Sequence, residues 1–455
     1  MRLEQQLLRA RQSFESGITK DVGYRKKQLR NLKRGLLELE DEILLALNKD
    51  LNKSPNEGFL TELGMVYSEL EDSLKNLSRW TKPTLVRPTL SQLPSIGKLI
   101  PEPYGVVLVL APWNYPFQLS ICPVIGALAA GNAVVLKPSR QAPETGKIIK
   151  KLVETYLDPC SYQVVLDEDA NEKLLEERFD YIFYTGSSKT GKRILEKAAK
   201  NLTPVSLELG GKSPCVVDKG LDLKKVAKRI LFGKLLNAGQ TCVAPDYLLV
   251  HEQAYEGLVE ALKETYVEML GDKEYLVKHT PTIVNEKQYQ RLIELTQGEE
   301  IIFQDTRVSE GHFPFTLIKS EGRISRLMEE EIFGPVLPII TLKNTEDAIS
   351  FIREGEKPLA FYLFTKDQRL KKRMLRDVSF GGGTINDTVL HLSNPRMPFG
   401  GVGYSGMGSY HGKKSFETFS HYKSVLFKGF IGDIPLRYHP VKDPKKKVPK
   451  FLLTK

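Results

Sequence analysis

The run Val106-Val107-Leu108-Val109-Leu110 is apolar without interruption, as a strand buried on both faces of a parallel sheet requires. Upstream the period is different. Leu36, Leu37, Leu39, Ile43, Leu44 and Leu47 recur at helical spacing among Glu and Lys, and residues 1–80 read as helices. Residues 83–103 break that pattern with Pro83, Pro88, Pro94, Pro101 and Pro103, so a helix is excluded and Leu99-Ile100 offers at most a short extended piece. After Leu110, strands and helices alternate. A helix over Leu119 to Ala130 closes at Gly131-Asn132, and strands follow at Ala133–Lys137, Gln163–Leu166, Tyr181–Tyr184 and Val205–Glu208. This order predicts a doubly wound α/β unit. A second α/β unit begins after Gly210-Gly211 and runs to about residue 412.

Composition adds bounds. The 455 residues are 41% hydrophobic and 27% charged, ordinary for a globular chain able to bury a large core. The four cysteines show no CxxC spacing, so neither a zinc site nor a disulfide framework is expected. Cys122, Cys160 and Cys215 lie in apolar or strand-like runs, whereas Cys242 sits among small and polar residues in Asn237-Ala238-Gly239-Gln240-Thr241-Cys242-Val243-Ala244-Pro245. That setting suits a thiol that must meet a substrate. The N-terminus has no apolar core of a secretory signal and no run is long enough for a membrane span, so a cytoplasmic protein is expected. The net charge of +10 is spread over Arg25-Lys26-Lys27, the Arg369 to Arg376 helix and the Lys-rich tail. These read as solvated faces without the aromatic interleaving of a nucleic-acid surface.

Two phosphate-loop patterns appear. Gly186-Ser187-Ser188-Lys189-Thr190-Gly191-Lys192 has GxxxxGK spacing between a strand and a helix, but Arg193 stands where a magnesium-binding hydroxyl belongs. A pyrophosphate at the helix N-terminus fits it without a metal. Gly401-Val402-Gly403-Tyr404-Ser405-Gly406 is a formal GxGxxG with no strand feeding it, and reads as a loop whose backbone approaches a ligand. Along Val205-Ser206-Leu207-Glu208-Leu209, alternation sets Ser206 and Glu208 on one face. Glu208 then faces a cleft or ends the strand in a salt bridge. Asn114 lies between Pro112-Trp113 and Tyr115-Pro116, where a turn role competes with a catalytic one.

Together these segments resemble the aldehyde dehydrogenase superfamily. Trp113-Asn114, Lys137-Pro138-Ser139, Thr185-Gly186-Ser187, Leu207-Glu208-Leu209-Gly210-Gly211, Gly239-Gln240-Thr241-Cys242, Glu331-Ile332-Phe333-Gly334-Pro335 and Pro398-Phe399-Gly400-Gly401 occur in the family's order. Cys242-Val243-Ala244-Pro245-Asp246-Tyr247 and Ser405 to Phe416 resemble the class 3 branch, with its fatty and aromatic aldehyde dehydrogenases. The resemblance implies a Rossmann-type cofactor domain (1–82 and 104–208), a catalytic α/β domain (209–412) and a bridging element with tail (83–103 and 413–455). It implies Cys242 as nucleophile, Asn114 as oxyanion donor and Glu208 as general base. Lys137 and Ser139 fall at the adenosine ribose, Gly186, Ser187 and Gly191 at the pyrophosphate turn with Trp113 nearby, and Glu331 and Phe333 at the nicotinamide ribose and ring. Tyr115 and Phe399 suggest an apolar approach for the aldehyde. Arg140 replaces a ribose-binding Glu common in the family and tilts the expected cofactor from NAD to NADP. Asp167-Glu168-Asp169 stands where relatives often carry glycines. A homodimer is implied, and the basic tail leaves weak membrane-surface association open. The competing readings are a nucleotide phosphohydrolase built on Gly186 to Lys192 and a catalytically silent family member.

Overall fold

A computed structural model describes residues 3–167, 170–432 and 438; Glu168, Asp169 and the Lys-rich tail lie outside them. The strands in chain order are β1 (Thr84–Val86), β2 (Ser95–Pro103), β3 (Val106–Leu110), β4 (Ala133–Lys137), β5 (Tyr162–Val164), β6 (Tyr181–Thr185), β7 (Val205–Glu208), β8 (Pro214–Val217), β9 (Tyr247–His251), β10 (Glu300–Gln304), β11 (Thr316–Lys319), β12 (Val336–Leu342), β13 (Ala360–Phe364), β14 (Gly382–Ile385), β15 (Gly406–Met407) and β16 (Ser420–Lys428). They form three sheets.

The first sheet runs β15-β7-β6-β3-β4-β5, with β3 to β7 all parallel and β15 antiparallel at the edge. The chain therefore winds outward one way from β3 through β4 to β5, then the other way through β6 to β7. Adjacent β3 and β6 mark the point where the winding reverses, and such a sheet opens a crevice there at its carboxyl ends. Strand parity sorts the core. Val107 and Val109 pack with the helices Gln118–Ala130 and Pro143–Tyr156, while Val106, Leu108 and Leu110 pack with Ile194 and Ala198 on the other face. The N-terminal helices cover the first of these faces through Leu36, Leu39, Ile43 and Leu47. Leu37 is 60% exposed, one position off the stripe, so it does not belong to the core. Arg25 is buried instead of solvated: its guanidinium donates to the carbonyls of Thr19, Lys20 and Ala129.

The second sheet, β10-β11-β12-β9-β8-β13-β14, is parallel except for β10. The third, β1-β2-β16, pairs Ser95–Pro103 with Ser420–Lys428 along their whole length. A nine-residue strand thus replaces the short extended piece expected around Leu99. Pro101 and Pro103 are tolerated because β1 pairs only with Gly97, Lys98 and Leu99. Beyond Leu99 one edge of β2 needs no donors, and the two prolines share parity. The strand expected at Gln163–Leu166 is shifted to Tyr162–Val164. No helix among the described residues is long and apolar enough to cross a membrane.

Candidate active site

The carboxyl ends of β3, β6 and β7 deliver Trp113-Asn114, Gly186-Ser187 and Glu208 to one cleft of about 820 Å³. Glu331, Phe333 and Cys242 reach the same cleft from the second α/β unit. The Trp113 and Phe333 rings meet edge to face at 5.4 Å, spanning the two units.

Cys242 follows a backbone segment that few residues tolerate. Asn237, Ala238 and Gly239 have φ of 51°, 52° and 74°, all left-handed, and two of them carry a Cβ. The surroundings hold them there. Asn237 donates its backbone N–H to Glu57 Oε1 at 2.6 Å and its side-chain amide to the Asn114 carbonyl at 2.8 Å. A Cβ on Gly239 would stand 2.3 Å from the Gly334 carbonyl oxygen. This approach locks the cysteine loop onto the Glu331–Pro335 segment, so the two motifs keep a fixed geometry.

Asn114 Nδ2 donates to the Gln240 carbonyl at 3.0 Å, and its second N–H remains for a ligand oxygen. Behind it lies a buried ion pair absent from the sequence reading. Lys53 Nζ is 2.6 Å from Glu62 Oε1 and donates to the Asn114 carbonyl at 2.9 Å, over the Tyr115 ring at 4.1 Å. Glu62 Oε2 accepts from the backbone N–H groups of Phe117 and Gln118. Nearby Glu57 is pushed up to about 7, chiefly by burial.

Glu208 is buried and neither carboxylate oxygen has a partner among the described residues. Burial alone pushes its pKa well above the usual carboxylate range. Such a group takes a proton from water readily once ionised. Cys242 is partly exposed at the cleft. Its thiol is pushed far up by burial and then by the Glu331 and Glu208 charges. Glu331 is also raised, mainly by burial. A Cβ on Gly210 would come within 2.0 Å of Glu331 Oε2, so this carboxylate approaches only because glycine stands there.

Cys242 has a second face. On that side lies an apolar cavity of about 140 Å³, lined by Tyr115, Leu119, Phe232, Leu236, Phe399 and Tyr410 among others. The Tyr115 hydroxyl is held by Thr241 Oγ1 at 2.6 Å, which fixes the ring as cavity wall.

A family model described as aldehyde dehydrogenase family matches residues 2–425. The chain belongs to the aldehyde dehydrogenase family. Its activity is the NAD(P)-dependent oxidation of an aldehyde. This aldehyde dehydrogenase is 42% identical over 454 residues to the 4,4'-diaponeurosporen-aldehyde dehydrogenase of Staphylococcus aureus (strain NCTC 8325 / PS 47), with 99% of each chain covered. It is 43% identical over 461 residues to aldehyde dehydrogenase family 3 member A2 of Pongo abelii, covering 100% of this chain and 94% of the relative. The substrate-bound state of Staphylococcus aureus AldH superposes with a TM-score of 0.94 at 42% identity, with 97% of each chain covered.

The dinucleotide of such an aldehyde dehydrogenase fits the larger cleft. Gly186 has a φ of +158°, the buried Thr185 hydroxyl beside it has no partner, and the helix Ser188–Ala199 opens on the cleft through Ser187 and Ser188. An anion at a helix N-terminus needs no more. Several expected residues fall elsewhere. Gly191 is buried in that helix, where a Cβ would meet Leu209 at 2.8 Å; it serves helix-to-strand packing, not the cleft wall. Lys137, Ser139 and Arg140 stand at the end of β4, outside the cleft lining. Lys137 Nζ donates to the Pro138 carbonyl, Ser139 Oγ accepts from Gln141 N–H, and Arg140 is exposed. Gly401 and Gly406 of the GxGxxG run approach protein backbone: a Cβ on Gly406 would lie 2.4 Å from the Leu207 carbonyl oxygen, and Gly406 pairs with Glu208. Their effect is to hold the strand that carries Glu208. Arg193 pairs with Glu172 on the surface, so the Gly186–Lys192 turn has no hydroxyl poised for magnesium, and nothing supports the phosphohydrolase reading. Cys160 is exposed in a turn, not in a strand.

Proposed function

We propose that Cys242 is the nucleophile of this aldehyde oxidation and that Glu208 and Asn114 complete its machinery. The observation that carries this is the position of Cys242 on the wall shared by both cavities. A substrate carbonyl placed there has the thiol on one side, the Asn114 amide and Cys242 N–H as oxyanion donors, and an unpaired carboxylate within the same cleft. Cys242 Sγ attacks the aldehyde carbon to give a thiohemiacetal. When bound, the dinucleotide would supply the hydride acceptor; Glu331 and Phe333 would hold its ribose and ring, and Trp113, Gly186 and Ser187 would lie near its phosphates. The acyl group then rests on Cys242 as a thioester. Glu208 takes a proton from water as its oxygen adds to the thioester carbon; the C–S bond then breaks, the carboxylic acid leaves, and the proton held by Glu208 returns to the thiolate.

The apolar lining supports a hydrocarbon-rich aldehyde. Arg140 favours NADP through its charge at the end of β4. The β1-β2-β16 sheet exposes Leu85, Ile96, Leu426 and Phe427, which supports a homodimer formed through it in the cytoplasm. An aldehyde panel followed by reduced-nicotinamide absorbance tests the central reading. Cys242→Ala abolishes turnover; turnover that survives the substitution overturns the mechanism.

A further inference from the structure

The apolar cavity beside Cys242 contains polar side chains that its walls leave unused, and two of them, Gln118 and His411, sit side by side in its lining. Gln118 is 9% exposed and His411 4%, and both line this cavity. Neither the Gln118 side-chain amide nor the His411 ring has a hydrogen-bond partner among the described residues. Of the other polar side chains in the wall, the Tyr410 hydroxyl also lacks a hydrogen-bond partner among the described residues, whereas the Tyr115 hydroxyl is held by Thr241 Oγ1. Thr61 Oγ1 donates to the Glu57 carbonyl, Thr241 Oγ1 to the Leu236 carbonyl and Ser393 Oγ to the Leu390 carbonyl.

Gln118 and His411 also line a second, much smaller chamber of about 10 Å³, together with Met65, Glu69 and Ser393. Such a volume takes one water-sized group, such as a hydroxyl oxygen. The backbone reinforces the placement. His411 has a left-handed φ of 87°, an arrangement a β-substituted residue adopts only under constraint. The constraint is visible: His411 N–H donates to Ser415 Oγ at 2.8 Å, and the next N–H, that of Gly412, donates to both oxygens of buried Glu69. The ring stacks on Phe399 at 5.7 Å and meets Tyr410 edge to face at 4.4 Å, which holds it at the cavity wall. Burial lowers the His411 pKa to about 4, so the ring is neutral and offers one donor and one acceptor.

We propose that Gln118 and His411 form a hydrogen-bonding station in the substrate cavity, and that the preferred aldehyde carries a second oxygen, a hydroxyl or carbonyl, on its hydrocarbon body. This rests on the aldehyde oxidation at Cys242 described above. A plain hydrocarbon chain leaves an amide and an imidazole buried and unpaired. A substrate oxygen in the small chamber completes them, and a site built this way discriminates strongly against the analogue that lacks the group.

The test measures kcat/KM for a straight-chain alkanal and its positional hydroxy and keto analogues, with the wild type, Gln118→Leu and His411→Phe. At least one oxygenated analogue should exceed the alkanal by about tenfold in the wild type. The hydroxy and keto arms identify which oxygen is read. In each variant that ratio should fall toward one, through a higher KM for the oxygenated analogue. If His411→Phe fails to fold, Gln118→Leu decides alone. Equal kcat/KM for all analogues in the wild type overturns the station, as does a ratio that survives in the variants. Failure of every aldehyde to yield reduced nicotinamide strikes the catalytic reading, and the station with it.

Discussion

The Asn114 side-chain amide nitrogen lies 3.0 Å from the Gln240 carbonyl oxygen, two residues before Cys242. One hydrogen bond thus ties the end of β3 to the loop that carries the thiol and leaves the second amide N–H for the substrate. Asn114→Ala removes the proposed oxyanion donor and this tie, while the Asn237 side-chain amide still donates to the Gln240 carbonyl. The expected result is a fall in kcat of about 10²-fold, with a smaller change in KM. Steady-state kinetics checks it, and a change confined to KM contradicts the oxyanion role.

Burial opposes the ionisation of Glu208, the proposed general base. The activity should rise with pH above the ordinary carboxylate range, ~4.3, and Glu208→Gln should lose both the rise and at least about 10²-fold of the steady-state rate. The same burial has a stability signature of known sign. The folded protein keeps the Glu208 proton to a higher pH than the unfolded chain does. Between those two pKa values the native state binds more protons, so this group's contribution to stability falls as pH rises. Gln does not titrate. The Tm of Glu208→Gln minus that of wild type should therefore grow as pH rises above ~4.3. A difference independent of pH, by calorimetry, contradicts the raised pKa.

The parts legible in the sequence were those with strong local periodicity or a tight motif. The strands Val106–Leu110 and Ala133–Lys137 agree with the structure residue for residue, because a strand buried on both faces leaves a near-continuous apolar run, here broken only at the terminal Lys137. Cys242, Glu208, Asn114, Glu331 and Phe333 stand together in the cleft because each ends or follows a predicted strand or sits in a glycine-bearing segment. The strand Ser95–Pro103 was hidden by its prolines, which are tolerated only because of a distant partner at Ser420–Lys428. Lys53, Glu57 and Glu62 were equally hidden. They sit on or beside short helical pieces amid many other Lys and Glu residues, and only tertiary packing reveals that Lys53 and Glu62 are buried and Glu57 half-buried. Gly191 packs its helix against Leu209, and a glycine demanded by helix-to-strand contact looks the same in sequence as one facing a phosphate.

Lys53 and Glu62 are both 0% exposed at 2.6 Å, which makes the pair sensitive to losing one member. Lys53→Met strands a carboxylate in the core and removes a donor from the Asn114 carbonyl. The expected loss is about 3–5 kcal/mol in urea unfolding. Because Lys53 holds the Asn114 backbone, the folded fraction should also show a lowered kcat. The double variant Lys53→Met/Glu62→Gln should regain part of the stability, since the stranded charge is gone. A double variant no more stable than Lys53→Met would contradict the charge argument and leave packing as the cause.

Arg140, the proposed reader of the cofactor, lies outside the cleft lining. It is exposed at the end of β4, next to β3 in the sheet, where the resemblance places the adenosine ribose. A cation there pairs with a 2′-phosphate and offers no acceptor to ribose hydroxyls. The wild type should therefore have the higher kcat/KM with NADP. Arg140→Glu reverses the charge and restores an acceptor, so the ratio of kcat/KM for NADP to that for NAD should fall by about 10²-fold. The effect should lie mainly in KM, since Arg140 lies outside the cleft that Cys242 lines. Added salt should weaken the wild-type preference, because an exposed pair is screened within about 10 Å at 0.1 M. A strong NAD preference in the wild type, or an unchanged ratio in Arg140→Glu, shows that this side chain does not read the cofactor.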